Sequence, residues 1–173
     1  MLNKLIENEM YLSISNEKIQ LNELFNFLEN YEHGAISTFI GKIRKTNFGK
    51  NVISVSYDVF EPLAIQSFQN ICTMAKEQFD NNASLKFYVE HFKGNLNVGE
   101  ISIVIGVSAA HRAEAINACS FIIEEIKHNS PIWKQEHYEN NSSEWIKGHA
   151  LCKKETSVKK YIGEYVLYCE KKL

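Results

Sequence analysis

The 173-residue sequence has no uninterrupted apolar run close to the roughly 18 residues that a membrane-spanning helix needs. Its first twenty residues also lack the charged start, apolar core and small-residue cleavage site that mark a secretory signal. We therefore expect a soluble, cytoplasmic protein that does not bind a membrane.

The sequence also has no large excess of charge of either sign. It contains 19 basic and 21 acidic residues, which give a formal net charge of −2. A nucleic-acid binder normally presents a basic surface, so this balance argues against one. A site for single-stranded RNA, built from sheet aromatics such as Phe87 and a basic loop, is disfavoured further because the ribonucleoprotein-type strand motif is absent.

Motifs for metal binding and hydrolysis are absent too. The sequence has no His-Glu-x-x-His helix and no Gly-x-Ser-x-Gly elbow, and its cysteines are too far apart for paired metal ligands. We expect neither a metal site nor a bound cofactor, and we interpret the cysteines as buried thiols. These are Cys72, Cys119, Cys152 and Cys169.

Only two prolines and eight glycines occur, and no linker-like segment or internal repeat divides the chain. Apolar residues recur with helical spacing in some stretches and alternate with polar ones in others. The predicted helices span 21–32, 62–80 and 112–128, and the predicted strands span 11–20, 35–43, 52–60, 85–89 and 101–107. This order predicts one α+β domain over residues 1–150, followed over 151–173 by a helical extension packed on the domain.

A basic cluster begins at the end of a predicted strand. Four cations lie between Lys42 and Lys50, in a segment that also contains Gly49. Arginine offers a rigid fork of donors and a glycine lets backbone amides approach an anion, so the cluster suits a small phosphorylated ligand. The phosphate-loop motif is not matched, because Asn51 follows Lys50. By composition alone, a solvated basic turn is the simpler interpretation.

A second cluster consists of His111 and Arg112, at the junction between a predicted apolar strand and a predicted helix. A helix start carries unpaired amides and partial positive charge, so an imidazole and a guanidinium placed there can form an anion pocket. The alternative is that His111 caps the helix and Arg112 is a surface charge.

A third cluster places Lys127 and Lys134 on either side of Pro131, with Trp133 as an apolar anchor. Desolvation or a neighbouring cation lowers the pKa of a lysine, and the neutral amine can then act as a base or nucleophile. The alternative is that these lysines only complement the dipole of the preceding helix.

The three clusters, in this order and spacing, resemble the large catalytic subunit of molybdopterin synthase, an enzyme of molybdenum cofactor biosynthesis. The resemblance runs from about residue 22 to residue 145. Its segments are TFIGKIR (38–44), His91 with GNLNVGE (94–100), SAAHR (108–112), and Lys127 with SPIWKQE (130–136).

The resemblance implies an α/β-hammerhead type fold, with a mixed, mainly antiparallel sheet and two long helices. It also implies a homodimer within a heterotetramer, with a small MoaD-like, ubiquitin-like sulfur carrier docked at each outer end. The carrier's C-terminal Gly-Gly thiocarboxylate would enter the active site and donate sulfur. Two carriers in succession would convert cyclic pyranopterin monophosphate to the dithiolene of molybdopterin.

The resemblance also assigns roles to individual residues. Lys127 is expected to be the principal catalytic lysine and Lys134 its partner. The expected substrate-binding residues are Phe39, Arg44, His111 and Arg112.

The chain departs from the family pattern in two places. Phe92 stands where the family usually has arginine, and the stretch after Trp145 offers Lys147 or His149 where some members carry a further active-site arginine. These departures leave a second hypothesis, a non-catalytic module on the same scaffold that binds a phosphorylated ligand or the carrier.

Overall fold

The computed structural model describes residues 3–7, 9–80, 85–140 and 142–146. In chain order the elements are β1 (Lys4–Ile6), β2 (Met10–Ser15), α1 (Leu21–Leu28), β3 (Ala35–Lys42), β4 (Thr46–Asn47), β5 (Lys50–Val59), α2 (Glu61–Phe79), β6 (Lys86–Phe92), β7 (Gly94–Asn97), β8 (Ile101–Ala109), α3 (Arg112–Asn129), β9 (Ile132–Tyr138) and β10 (Ser143–Ile146).

The strands form two sheets. The first has the order β1-β2-β6-β8-β3, and the second has the order β10-β9-β5-β4 with β7 also paired to β5. Every described strand pair is antiparallel except β2 with β6. The predicted α+β class, the mainly antiparallel pairing and the two long helices are therefore confirmed, although the strands divide between two sheets rather than one.

Two apolar cores lie on opposite faces of the first sheet. The larger core contains the buried faces of α2 and α3, and the smaller core joins α1 and the second sheet. Side chains of a strand alternate between its faces, so Phe87 and Val89 enter the larger core whereas Tyr88 enters the smaller one. Because both faces are covered, β6 and β8 are almost entirely buried.

The long helices follow the predicted apolar spacing. In α2, buried Phe68, Ile71 and Cys72 recur at three- and four-residue intervals, and Pro62 occupies the first turn, where its missing N–H costs nothing. Helix α3 ends where Ser130 and Pro131 turn the chain into β9. None of the helices in the described ranges is long and apolar enough to span a membrane.

Several boundaries differ from the predicted ones. Helix α1 ends at Leu28 and β2 ends at Ser15, so both are shorter than predicted. The predicted strands at 85–89 and 101–107 pair as the antiparallel strands β6 and β8, and part of the connection between them is β7, which pairs with the other sheet. Strands β1, β4, β7, β9 and β10 were not predicted. The predicted extension over 151–173 lies outside the described residues.

Candidate active site

A cavity of about 560 Å³ lies between the two sheets and the last turns of α3. Its walls come from β3 and the residues after it, from β5, and from β9. Four of the six site residues expected from the resemblance line this cavity. They are Phe39, Arg44, Lys127 and Lys134.

Lys127 projects from the last turn of α3 and is exposed. Its Nζ lies 5.5 Å from the centroid of the Phe39 ring, a cation–π distance, while Phe39 itself packs against the larger core. The helix ends two residues later, and the Ser130 amide is bonded to the Ile126 carbonyl at 3.1 Å. The Lys127 ammonium therefore stands at the cavity mouth above an aromatic ring.

Lys134 and Arg44 are joined through two intervening polar side chains. Lys134 Nζ donates to Glu136 Oε1 at 2.7 Å, and the Asn47 amide donates to Glu136 Oε2 at 2.8 Å. The Arg44 guanidinium in turn donates to the Asn47 side-chain oxygen. Two cations of the cavity thus belong to one hydrogen-bonded network that is centred on the Glu136 carboxylate.

Glu136 is buried, and burial alone would raise the pKa of its carboxyl group. Hydrogen bonds from Lys134, Asn47 and Tyr138 outweigh that penalty, so the pKa of Glu136 lies below its usual value. Burial and the neighbouring carboxylate raise the pKa of Tyr138 to about 12, which leaves the phenol protonated as a donor to Glu136 at 3.0 Å. Glu136 is therefore an ionised acceptor at neutral pH.

The position of Asn47 depends on a tight turn. Asn47 pairs with Lys50 across a two-residue connection in which Phe48 has φ 46° and Gly49 has φ 77°. Positive φ at both central residues matches the right-handed twist of a hairpin. The segment predicted as a basic loop is thus a hairpin that brings Arg44 and Asn47 against β9.

The rest of the cavity wall includes uncharged polar side chains. His91 is buried, contacts the edge of the Tyr57 ring at 4.9 Å between centroids, and shares a hydrogen bond of 2.8 Å with the Phe92 carbonyl. Burial lowers the pKa of His91 to about 4, so the imidazole is neutral at pH 7. Ser102, also in the wall, donates to the Gly41 carbonyl at 3.2 Å. In the described part of the chain, no group of three or more His, Cys, Asp or Glu could hold a metal ion.

His111 and Arg112 lie elsewhere in the same chain. Both are exposed at the start of α3, and the His111 side chain makes no capping hydrogen bond. Arg112 and Lys127 are separated by fifteen residues of helix, which correspond to about 22 Å. Within one chain Arg112 therefore lies at the opposite end of α3 from Lys127, and it does not line the cavity.

The departure at Phe92 has a structural explanation. Phe92 is buried in the smaller core, and the cation beside it, Lys93, forms an ion pair with Glu61 at 3.0 Å. Neither residue lines the cavity. The other departure, at Lys147 and His149, lies outside the described residues.

Sequence reasoning did not assign a role to Asn47, Glu136, Tyr57 or Ser102. The available signal was the alternation of Lys134, Glu136 and Tyr138, which share one face if the segment is a strand. That signal was missed because residues 132–138 were not predicted as a strand.

The sequence matches the family described as "MoaE protein" over residues 14–129, a range that includes Lys127 and ends before Lys134. A curated relative from Synechococcus elongatus, named "Molybdopterin synthase catalytic subunit", is 38% identical over 146 residues, which cover 84% of this chain and 87% of the relative.

Solved structures agree with the sequence comparison. The structure of molybdopterin synthase from Staphylococcus aureus is 31% identical, with a TM-score of 0.73 over 79% of this chain and 96% of the other. A complex of subunits 1 and 2 of molybdopterin-converting factor from Helicobacter pylori shares the fold at 24% identity and a TM-score of 0.64, over 79% and 90% of the two chains. The chain therefore belongs to the MoaE protein family.

Proposed function

We propose that this chain is the catalytic subunit of a molybdopterin synthase, and that its domain over residues 1–150 transfers sulfur from a carrier thiocarboxylate to cyclic pyranopterin monophosphate. The observation that carries the proposal is the convergence of Phe39, Arg44, Lys127 and Lys134 on one cavity. Its similarity to molybdopterin synthase catalytic subunits makes the chain an enzyme of molybdopterin biosynthesis. The sulfurtransferase chemistry and the substrate are the proposed part.

The charges of the cavity suit this chemistry. Both a thiocarboxylate and a substrate phosphate are anions, and Lys42, Arg44, Lys127 and Lys134 place cations around the space they would share. Fixed cations stabilise negative charge that develops during acyl and phosphoryl chemistry. We assign Lys127 the principal catalytic role, because its ammonium is exposed at the mouth, and Lys134 a supporting one, because it is held by Glu136.

The partner we propose is a small MoaD-like carrier whose extended C-terminal tail enters the cavity. The Helicobacter pylori structure is a complex of two subunits, and the subunit of that complex that matches this chain has the same fold. A cavity open at its mouth between two sheets and a helix end suits capture of an extended terminus.

A second copy of this chain would complete the site. His111 and Arg112 are exposed but stand about 22 Å along α3 from Lys127, so they can serve the same substrate only from a neighbouring copy. We therefore propose a homodimer within a heterotetramer, in which these two residues bind the substrate of the partner copy.

The test is a reconstituted assay with the full chain, a thiocarboxylated carrier and cyclic pyranopterin monophosphate, with molybdopterin detected as its fluorescent oxidation product. We expect Lys127→Ala to fold normally and to lose at least about a hundredfold in product formation, because the cavity loses its exposed ammonium. The matched control is Lys76→Ala, since Lys76 also stands in the last turn of a long helix but pairs with Glu9 away from the cavity.

Wild-type turnover by Lys127→Ala would remove that residue from the mechanism. If the wild-type chain bound the carrier but formed no product, the binding-module hypothesis would replace the enzymatic one. Circular dichroism of both variants establishes that they are folded.

A further inference from the structure

We infer that Asn47 is a positioning residue that fixes the Arg44 guanidinium and the Lys134–Glu136 pair relative to each other. The inference rests on the proposed function for the roles of Arg44 and Lys134. It adds a residue to which neither the sequence motifs nor the cavity lining gave a role.

Both ends of the Asn47 amide are used, and the side chain is buried with an exposed fraction of 4%. Its nitrogen donates to Glu136 Oε2 at 2.8 Å, and its oxygen accepts from Arg44. A carboxylate accepts only and a guanidinium donates only, so the group between them must do both. A primary amide meets this requirement, whereas an ionised aspartate of the same size does not.

In the part of the chain that the structure describes, the neutral Asn47 amide also leaves Arg44 without a carboxylate partner of its own, while Lys134 pairs with Glu136. Glu136 is already neutralised by Lys134, whose Nζ lies 2.7 Å from Oε1. If a carboxylate took the place of the Asn47 amide, it would pair directly with Arg44 and cancel the charge that attracts an anionic substrate. The neutral amide orients the guanidinium and leaves its charge available to the cavity.

The hairpin does not need the Asn47 side chain to form. Backbone pairing of β4 with β5 and a hydrogen bond of 2.8 Å from the Val52 amide to the Lys45 carbonyl define the turn. The side-chain bonds instead connect this hairpin to β9, 89 residues further along the chain. Their loss therefore frees the guanidinium and one carboxylate oxygen without removing the backbone pairing of the turn.

The experiment compares Asn47→Asp and Asn47→Ala by measuring kcat/KM from pH 5 to pH 9 in the reconstituted assay. At neutral pH we expect both variants to lose roughly tenfold to a hundredfold, the scale of a small misplacement of reacting groups. As the pH falls, one proton shared between the introduced carboxyl group and Glu136 restores a donor, so Asn47→Asp recovers activity relative to wild type. Asn47→Ala has no such donor and does not recover.

Several other groups face the same carboxylates and enter the pH profile. Arg44 and Lys134 favour ionisation, whereas the Tyr57 and Tyr138 hydroxyls titrate above neutral pH because burial raises the pKa of each. Beyond the Tyr138 ring lies the ion pair of Lys50 with Glu144. None of these groups differs between the two variants, so the difference between their profiles reports the introduced carboxyl group.

Asn51→Asp is the matched control. Asn51 lies in the same hairpin and also donates to a glutamate, Glu139, at 3.0 Å, but this pair is exposed and outside the cavity. We expect its activity and pH profile to equal those of the wild type. Equal losses in Asn47→Asp and Asn47→Ala at every pH, or no loss in either, would overturn the positioning role.

A second readout does not depend on turnover. Carboxyl NMR titration of the chain alone is expected to show a raised apparent pKa for Glu136 in Asn47→Asp and no change in Asn51→Asp. If the wild-type chain makes no product, the proposed function fails while this titration still tests the arrangement. An unchanged Glu136 titration in Asn47→Asp would contradict the inference even in an active enzyme.

Discussion

His91 shows how a single buried residue makes stability depend on pH. Burial lowers the pKa of its imidazole from 6.5 to about 4, against a partial opposing effect of the Phe92 carbonyl. Between these two values the unfolded state binds more protons than the folded state. The stability that neutral His91 contributes is therefore complete above pH 6.5 and is lost as the pH falls to 4.

We expect the free energy of unfolding to fall by about 3 kcal/mol over that interval on account of His91. Urea denaturation at pH 7 and pH 4 measures the change, and His91→Phe is expected to show a smaller decrease because it cannot bind a proton. His128→Gln, at the exposed end of α3, is the control and keeps the wild-type decrease. An equal decrease in wild type and His91→Phe would refute the assignment.

At the same scale, the sequence singled out charged residues that line the cavity, but it did not show their hydrogen-bond partners. Lys127, Lys134 and Arg44 belong to segments with recognisable spacing, and the structure brings all three to one cavity. Asn47 and Glu136 could not be paired in advance, because their contact joins residues 89 positions apart. Such a contact follows from the register of two strands, which no local pattern contains.

At the scale of elements, the β4–β5 hairpin controls the position of the basic cluster. Phe48 adopts φ 46°, which is unfavourable for a residue with a Cβ, and its side chain is 75% exposed. Gly49 adopts φ 77° with no atom within 4 Å of an added Cβ, so a substitution there has a conformational cost and no clash. Substitutions at the two turn positions are therefore expected to change the stability of the protein in opposite directions.

We expect Gly49→Ala to destabilise the protein by about 1 kcal/mol, because residues with a Cβ disfavour positive φ. Phe48→Asn is expected to stabilise it by on the order of 0.5 kcal/mol, because Asn-Gly is the preferred pair in such turns. Thermal unfolding of both variants gives the comparison. Effects of the same sign in the two variants would contradict this account of the turn.

Which elements could be predicted depends on their apolar patterns. Helices α2 and α3 each bury a regular apolar face, so periodicity predicted them. Periodicity also predicted β5, where Val55 and Val59 are buried, although a register shift against β9 leaves Ile53 exposed. Strand β9 directs Lys134 and Glu136 toward the cavity, and its polar face conceals the alternation of a half-buried strand. The alternation in β9 is therefore one of charged and polar side chains, which is harder to recognise than an apolar alternation.

For the whole molecule, the division into two sheets determines where the cavity forms. The first sheet has a core on each face, and the cavity opens where β3, β5, β9 and the end of α3 converge. The start of α3, with His111 and Arg112, lies at the other end of the same helix. One copy therefore presents the lysines of the cavity near one end of α3 and, at the other end, the pair that we propose binds substrate.

This polarity predicts a site shared between copies, which can be tested with heterodimers purified through two different affinity tags. In the first heterodimer, one copy carries Lys127→Ala and the other carries Arg112→Ala. If each site combines Lys127 of one copy with Arg112 of the other, one of the two sites is complete and about half of the wild-type activity remains. Each variant as a homodimer is expected to be inactive.

In the second heterodimer, one copy carries both Lys127→Ala and Arg112→Ala, and the other copy is wild type. A shared site then lacks Arg112 in one location and Lys127 in the other, so we expect no activity. If each copy instead used its own Arg112, the wild-type copy would work alone, and the two heterodimers would exchange their activities. Both heterodimers contain the same two substitutions and differ only in how these are distributed between the copies. The difference in their activities therefore reports whether a site is shared between copies.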